Sequence, residues 1–327
     1  MNQLIPLETA SRLIKQGLPL SIAGPEATMD QLPTGNWIGG TTPYFMLESG
    51  GVVVPAGKVF VSDLSEIGTV RITSYSADEL ANIAANAPEN GFSLTIIPAG
   101  GQVHKRFSEG AAAYKDAFLK PTVGWIAGMH LADLGKAVAK VYDGRSGHKY
   151  EDRAVVAYVS LPEGKLACLE IVNPFEPGTG DVLRFQQTSF DVVNCEANGR
   201  SVNFAEYVDQ QGLAGGLLPL VGDFAGAHVN VSLQSVDKVG RKVKLYAPVF
   251  PGVDYRFAKP LENYAEAFRA RLEQADQRGA VWSCNCILNF LFGELEGKAI
   301  GGMAGPVTFG EIAYQLLNQT LVTVRVI

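Results

Sequence analysis

Glu311 lies between Gly310 and Ile312, with Phe309 just before the glycine. A carboxylate held against apolar neighbours sits in low dielectric, where it can accept hydrogen bonds from a ligand ammonium or from main-chain amides. The same position also suits a first-turn acid of a helix over residues 313–317, stabilised by the macrodipole. Upstream, Ser283 and Cys284 sit in an apolar run, and Cys284 and Cys286, two apart, would share one face of a strand. A thiol pair invites redox or zinc chemistry, but tetrahedral zinc needs two more ligands, and no neighbouring His or CxxC supplies them. Cys284 as a nucleophile would need a base such as His228, which nothing local links to it. Buried free thiols remain the plainer reading, and neither catalytic nor metal-ligating residues are assigned. Thr41 and Thr42 follow Gly39 and Gly40, where absent side chains let a bound molecule approach converging donors; a turn capped by hydroxyls fits as well. A nucleotide P-loop is excluded, because GxxxxGK[ST] and its lysine are missing. His104, His130, His148 and His228 are scattered, and Lys105, Arg106 and Lys115 alternate with Glu109 and Asp116 as on a solvated helix face.

The chain that must position these residues has 327 of them, 47% hydrophobic and 18% charged, with a net charge of -6. Such apolar content supports a large core and excludes disorder, and the negative balance offers no field for nucleic acid. The 36 glycines follow no collagen period and predict many tight turns and close backbone approaches. The N-terminus reads as free of a signal peptide, because Glu8, Arg12 and Lys15 interrupt its apolar residues. The longest weakly polar stretch, residues 212–222, is too short and too rich in glycine to span a bilayer. With only four cysteines, a cytoplasmic protein away from the membrane is expected.

Periodicity alternates between helix and strand. Helices are expected over residues 4–16, 25–32, 76–87, 102–119, 203–211 and 261–278; the third carries the Ser76–Glu79 capping-box pattern, and the last places Tyr264, Ala267, Phe268 and Leu272 on one side. Strands are expected over residues 18–23, 36–40, 52–55, 59–64, 69–75, 92–98, 123–128, 228–233, 242–247, 280–290 and 321–327. Residues 134–141 fit a strand or a short helix. Two hairpins are predicted, one turning at residues 162–165 and one at Asn198-Gly199. Residues 173–181, with two prolines and two glycines, mark a boundary near residue 180. The expected fold is α+β: modules over 1–180 and 181–327, each of mixed or mostly antiparallel sheets covered by helices. Ile38-Gly39-Gly40 is echoed by Ile300-Gly301-Gly302, as internal duplication would leave it.

The C-terminal motifs resemble the FIST sensory domain family, whose members have an N-terminal and a C-terminal module. Trp282-Ser283-Cys284 resembles the family's apolar-Ser-Cys strand, Thr308-Phe309-Gly310-Glu311-Ile312 its Gly-Glu-Ile turn, and Asn318-Gln319-Thr320-Leu321 its closing Asn-x-Thr-Leu strand. Gly39-Gly40-Thr41-Thr42 and residues 123–128 resemble Gly-containing strand ends of the N-terminal module. The chain departs from the pattern at Cys286-Ile287-Leu288-Asn289, where the family often has Arg, and before its first glycine-rich strand end. The resemblance implies a sensory protein that binds a small polar ligand, such as an amino acid, in a cleft lined by Thr41, Thr42, Ser283, Cys284, Gly310 and Glu311. No catalytic step and no cofactor are required, and the signal would pass to a separate protein; oligomeric state is left unassigned. Two alternatives stay open. One is a hydrolase using Cys284 or Ser283; the other is a haem-based gas sensor with His104 or His130 as ligand.

Overall fold

The computed structural model describes residues 1–54, 56–302 and 304–327; Pro55, placed at the end of a predicted strand, and Met303, within the glycine echo, lie outside the described residues. The fold is α+β, with 17% helix, 42% strand and several mixed and antiparallel sheets. Three six-stranded sheets form its centre. The first runs Asn2–Pro6, Lys58–Asp63, Leu20–Gly24, Trp37–Thr41, Val141–Asp143, His148–Tyr150. The second runs Gln315–Leu317, Glu311–Ala313, Thr122–Ala127, Gly91–Pro98, Arg153–Ser160, Thr69–Ser76. The third runs Ala167–Val172, Leu321–Val326, Ala280–Cys286, Gly305–Thr308, Tyr44–Leu47, Gly50–Val53. Each contains one parallel pair joined through a helix, as the geometry of parallel strands requires.

Burial patterns show how the layers stack. One face of the second sheet, with Leu94, Ile96, Trp125, Val155 and Ala157, packs on Ala23 and Ile38 of the first sheet and on Phe45, Trp282, Cys284 and Val322 of the third. Its other face, with Ile97, Ile126 and Val156, meets Val103 and Phe107 of the helix Gln102–Gly110. The outer faces of the first and third sheets are covered by the helix Leu7–Lys15 and by the helices Tyr264–Gln274 and Ile287–Phe292. A β-rich lobe over residues 183–257, built on a further six-stranded and a three-stranded sheet, packs against the helical side of the second sheet. This explains the near-continuous apolar runs of residues 92–98 and 123–128, which are buried on both faces.

The division near residue 180 does not separate the sheets. Gly305 and Pro306 pair with Met46 and Phe45, Glu311–Ala313 pairs with residues 123–125, and Ala167–Val172 pairs with residues 321–326. The hairpin expected at residues 162–165 is overturned too: Arg153–Ser160 pairs within the second sheet, while Ala167–Val172 leaves for the third. The turn is real, but it changes sheets, because both edges of Arg153–Ser160 are already taken by Thr69–Ser76 and Gly91–Pro98. Asn198-Gly199 does form its hairpin, with φ of 47° and 79°, and Asn203 caps the helix Phe204–Gln210 by accepting from the Glu206 N–H. Several boundaries moved. Residues 2–6 are a strand before the first helix, and the helix after Ser76 shrinks to Asn82–Ala85, although Glu79 does reach back to accept from the Ser76 N–H at 2.8 Å. Residues 287–292 continue the strand Ala280–Cys286 as a helix. Residues 134–140 are neither strand nor helix, and a strand begins only at Val141.

A closed polar seam as candidate functional site

The sequence-selected residues do gather, at the junction where the three sheets meet, but all are buried. Thr41 ends its strand and donates its hydroxyl to the Gly128 carbonyl at 2.6 Å while accepting from the Lys140 N–H at 3.0 Å. Thr42 donates to the Val307 carbonyl at 2.7 Å and accepts from the Tyr44 N–H at 3.2 Å. Both hydroxyls therefore stitch one sheet to another. The missing side chains beside them serve packing: a Cβ on Gly40 would come within 2.8 Å of both Ile96 and Trp125, and one on Gly128 within 2.2 Å of the Phe309 ring. What read as a hollow cradle is filled by protein.

Ser283 donates to the Ala304 carbonyl at 3.2 Å, and Cys284 points its thiol at the Gly124 carbonyl, 3.4 Å away. Gly310, at φ 151°, occupies backbone space closed to most side chains, and its carbonyl accepts from the Ile126 N–H at 2.8 Å and from the Thr308 hydroxyl at 3.0 Å. Glu311 is fully buried in the strand Glu311–Ala313, opposite Trp125, so the helix-terminus role is overturned: the residues after it pair as strand.

Glu311 is the unusual member. Its Oε2 accepts from the Thr320 hydroxyl at 2.8 Å and from the Thr320 N–H at 3.4 Å, and its Oε1 lies 3.4 Å from the Thr308 hydroxyl. The Cys286 thiol shares a further hydrogen bond with it. All of these partners are neutral. Burial pushes the carboxyl up to about 8, although the Thr320, Cys286 and Thr308 hydrogen bonds work in the opposite direction. The Thr308 hydroxyl has one proton and also faces the Asn285 and Gly310 carbonyls, so the geometry suits a protonated Glu311 donating to Thr308. Burial, and then the neighbouring Glu311, raise both Cys284 and Cys286, which leaves them as thiols rather than thiolates.

A hydrogen-bonded chain extends outward from this carboxyl. Asn289 donates to the Thr320 carbonyl at 2.9 Å and to Asn285 Oδ1 at 2.8 Å, and it accepts from the Tyr264 hydroxyl at 2.7 Å. Gln319 links Tyr264 to Ser232 of the β-rich lobe. Asn285 Nδ2 and Asn318 Oδ1 are buried without a hydrogen-bond partner among the described residues. Cys286, Thr308, Thr320, Asn289, Tyr264 and Gln319 were not selected from sequence. The Thr308 and Thr320 motifs were visible, but only the pairing of sheets aims their hydroxyls at Glu311.

The histidines lie elsewhere. His104 and His130 each accept a main-chain N–H on Nδ1, at 3.2 Å. Burial holds His104 down at about 4, and its enclosed Nε2 does not suit an axial haem ligand. Two open grooves also stand apart from the seam: one of about 470 Å³ beside Arg269, Glu273 and Gly301, and one of about 340 Å³ beside Asp78, Arg106 and Tyr114. Among the described residues no group of three or more His, Cys, Asp or Glu side chains could hold a metal ion, and no helix is long and apolar enough to cross a membrane.

Fold and seam together define a layered α+β protein whose central sheets enclose a buried carboxyl with neutral partners. The chain belongs to a family of unknown function (DUF6976), matched over residues 5–327. A search of the curated proteins found no match.

Proposed function

We propose that the chain is a small-molecule-binding sensory protein of the FIST-like kind, and that Glu311 receives a positive group of a polar metabolite such as an amino acid. One observation carries this reading: a fully buried carboxyl surrounded by neutral partners, with no cation beside it among the described residues. Burying such a group costs free energy unless it is neutral or paired, so an arriving ammonium would displace the proton and supply the missing charge. Thr41, Thr42, Ser283 and Cys284 tie the closed seam around Glu311 together through their main-chain contacts. The hydrolase alternative has less support, since a nucleophile needs an activating base and both Cys284 and Ser283 bond to carbonyls instead. Four free thiols favour a reducing compartment, the cytoplasm, and the signal would pass to a separate protein.

A thermal-shift panel of amino acids, simple amines and their des-amino analogues tests this. A ligand at 100 times its Kd adds about 2.7 kcal/mol of stability. Amine-bearing compounds should raise the Tm of the native chain and not of Glu311→Gln, with proton release detectable by calorimetry below pH 8. An equal shift in the variant, or no shift with any amine, would overturn the proposal.

A further inference from the structure

Gln319, itself fully buried, joins the Glu311 cluster to the segment that carries Leu217. Inward, its main-chain N–H reaches the Cys286 thiol, and the next residue, Thr320, holds Glu311. Outward, its Nε2 donates to the Leu217 carbonyl at 3.2 Å and the Tyr264 hydroxyl at 3.1 Å, while its Oε1 accepts from Ser232 at 2.7 Å. Gln319 also stands at φ 51°, a conformation that a residue with a side chain keeps only when its surroundings impose it. Leu217 itself is 43% exposed.

The segment bearing Leu217 is lightly held. Its start is fixed by the Leu213 N–H on the Val208 carbonyl at 2.9 Å, and Leu213 and Leu218 pack onto different apolar clusters on either side. Between them come Ala214, Gly215, Gly216 and Leu217. A Cβ on Gly215 would meet nothing within 4 Å, and one on Gly216 would meet the Leu233 carbonyl at 3.3 Å. Gly216 is buried and its N–H reaches the Leu213 carbonyl only at 3.4 Å, while Ala214, Gly215 and Leu217 are exposed, so backbone freedom and few contacts favour local opening of this segment.

We propose that residues 214–217 form a gate over the Glu311 cluster, with Gln319 as its latch. When the gate lifts, Gln319 loses its Leu217 bond, one of the three that hold its side chain, and once the Tyr264 and Ser232 bonds follow it can leave its left-handed conformation, which uncovers Cys286 and Glu311. The gate's role in admitting a ligand rests on the function proposed above; its existence does not, because Cys286 reports access directly.

The test is native-state labelling of the full chain with N-ethylmaleimide, read thiol by thiol by peptide mass spectrometry. Cys195, buried in the β-rich lobe, serves as the reference for global unfolding. Cys286 should label several-fold faster than Cys195. Gly215→Ala, which stiffens the gate, should slow Cys286 several-fold, whereas Gly180→Ala, equally free of neighbours in the loop before Leu183, should leave it unchanged. Gln319→Gly, which accepts the positive φ but removes the latch, should speed Cys286 relative to Cys195. Equal rates for Cys286 and Cys195 in every variant, or equal effects of the two glycine substitutions, would overturn the gate. A ligand panel without any response beside gate-dependent labelling would remove the ligand reading and leave the gate standing.

Discussion

Thr41-Thr42 and Glu311 are both buried polar groups at one seam, yet they are satisfied in opposite ways. Each threonine hydroxyl donates to a carbonyl and accepts from an N–H, so donor and acceptor capacity are filled by main chain that lies there anyway. Glu311 has hydroxyls and a thiol around it and, among the described residues, no cation, so burial keeps its carboxyl protonated. The contrast separates polarity that builds a structure from polarity left available to a ligand, a distinction that burial alone does not make.

The largest expected effect is pH dependence. A folded-state value of about 8, against the ordinary 4.5, means that the folded chain keeps a proton the unfolded chain gives up between those limits. Stability from this group is full below about 4.5, falls by roughly 1 kcal/mol per pH unit as pH rises, and is lost above about 8. Partly buried His104 acts oppositely, lowering stability as pH drops through 6.5 towards about 4, so the difference in urea stability between the native chain and Glu311→Gln isolates Glu311. Glu311→Gln should flatten that slope; an unchanged slope would make the two regions alike. Thr42→Val comes next. It orphans the Val307 carbonyl and the Tyr44 N–H, with an expected cost of about 1–3 kcal/mol that is the same at every pH.

The smallest effects divide the two copies of Ile-Gly-Gly. Gly40 lies in a buried strand with Ile96 and Trp125 in its Cβ space, whereas Gly301 is exposed at φ 82° with nothing within 4 Å. Gly40→Ala should cost about 1–3 kcal/mol by overpacking, and Gly301→Ala about 1 kcal/mol through backbone strain. Denaturation midpoints that reverse this order would contradict the packing described here. The echo in sequence thus joins a strand interior to a surface turn.

Much of the secondary structure was legible because it depends on neighbours within a few residues. Asn198-Gly199 made its turn and Asn203 capped its helix; the apolar runs of residues 92–98 and 123–128 became central strands. Partner choice was not legible. The strand after the turn at residues 162–165 found Leu321–Val326, about 150 residues onward, because hydrogen-bonding edges are alike and only packing of whole layers selects among them. The same limit applied to the seam: Glu311 was selected for its apolar flanks, while Cys286 reaches it from the end of the strand Ala280–Cys286 and Thr320 from the turn before Leu321.

By itself the sequence determined the α+β class, most local elements and the suspicion attached to Glu311, since periodicity, turn chemistry and a carboxyl between apolar residues are short-range facts. Tertiary structure decided that the two halves share sheets, that the glycines admit side chains of neighbouring layers, and that Glu311 meets only neutral partners among the described residues. Those outcomes depend on which distant strands exclude water together, and no local pattern encodes that choice.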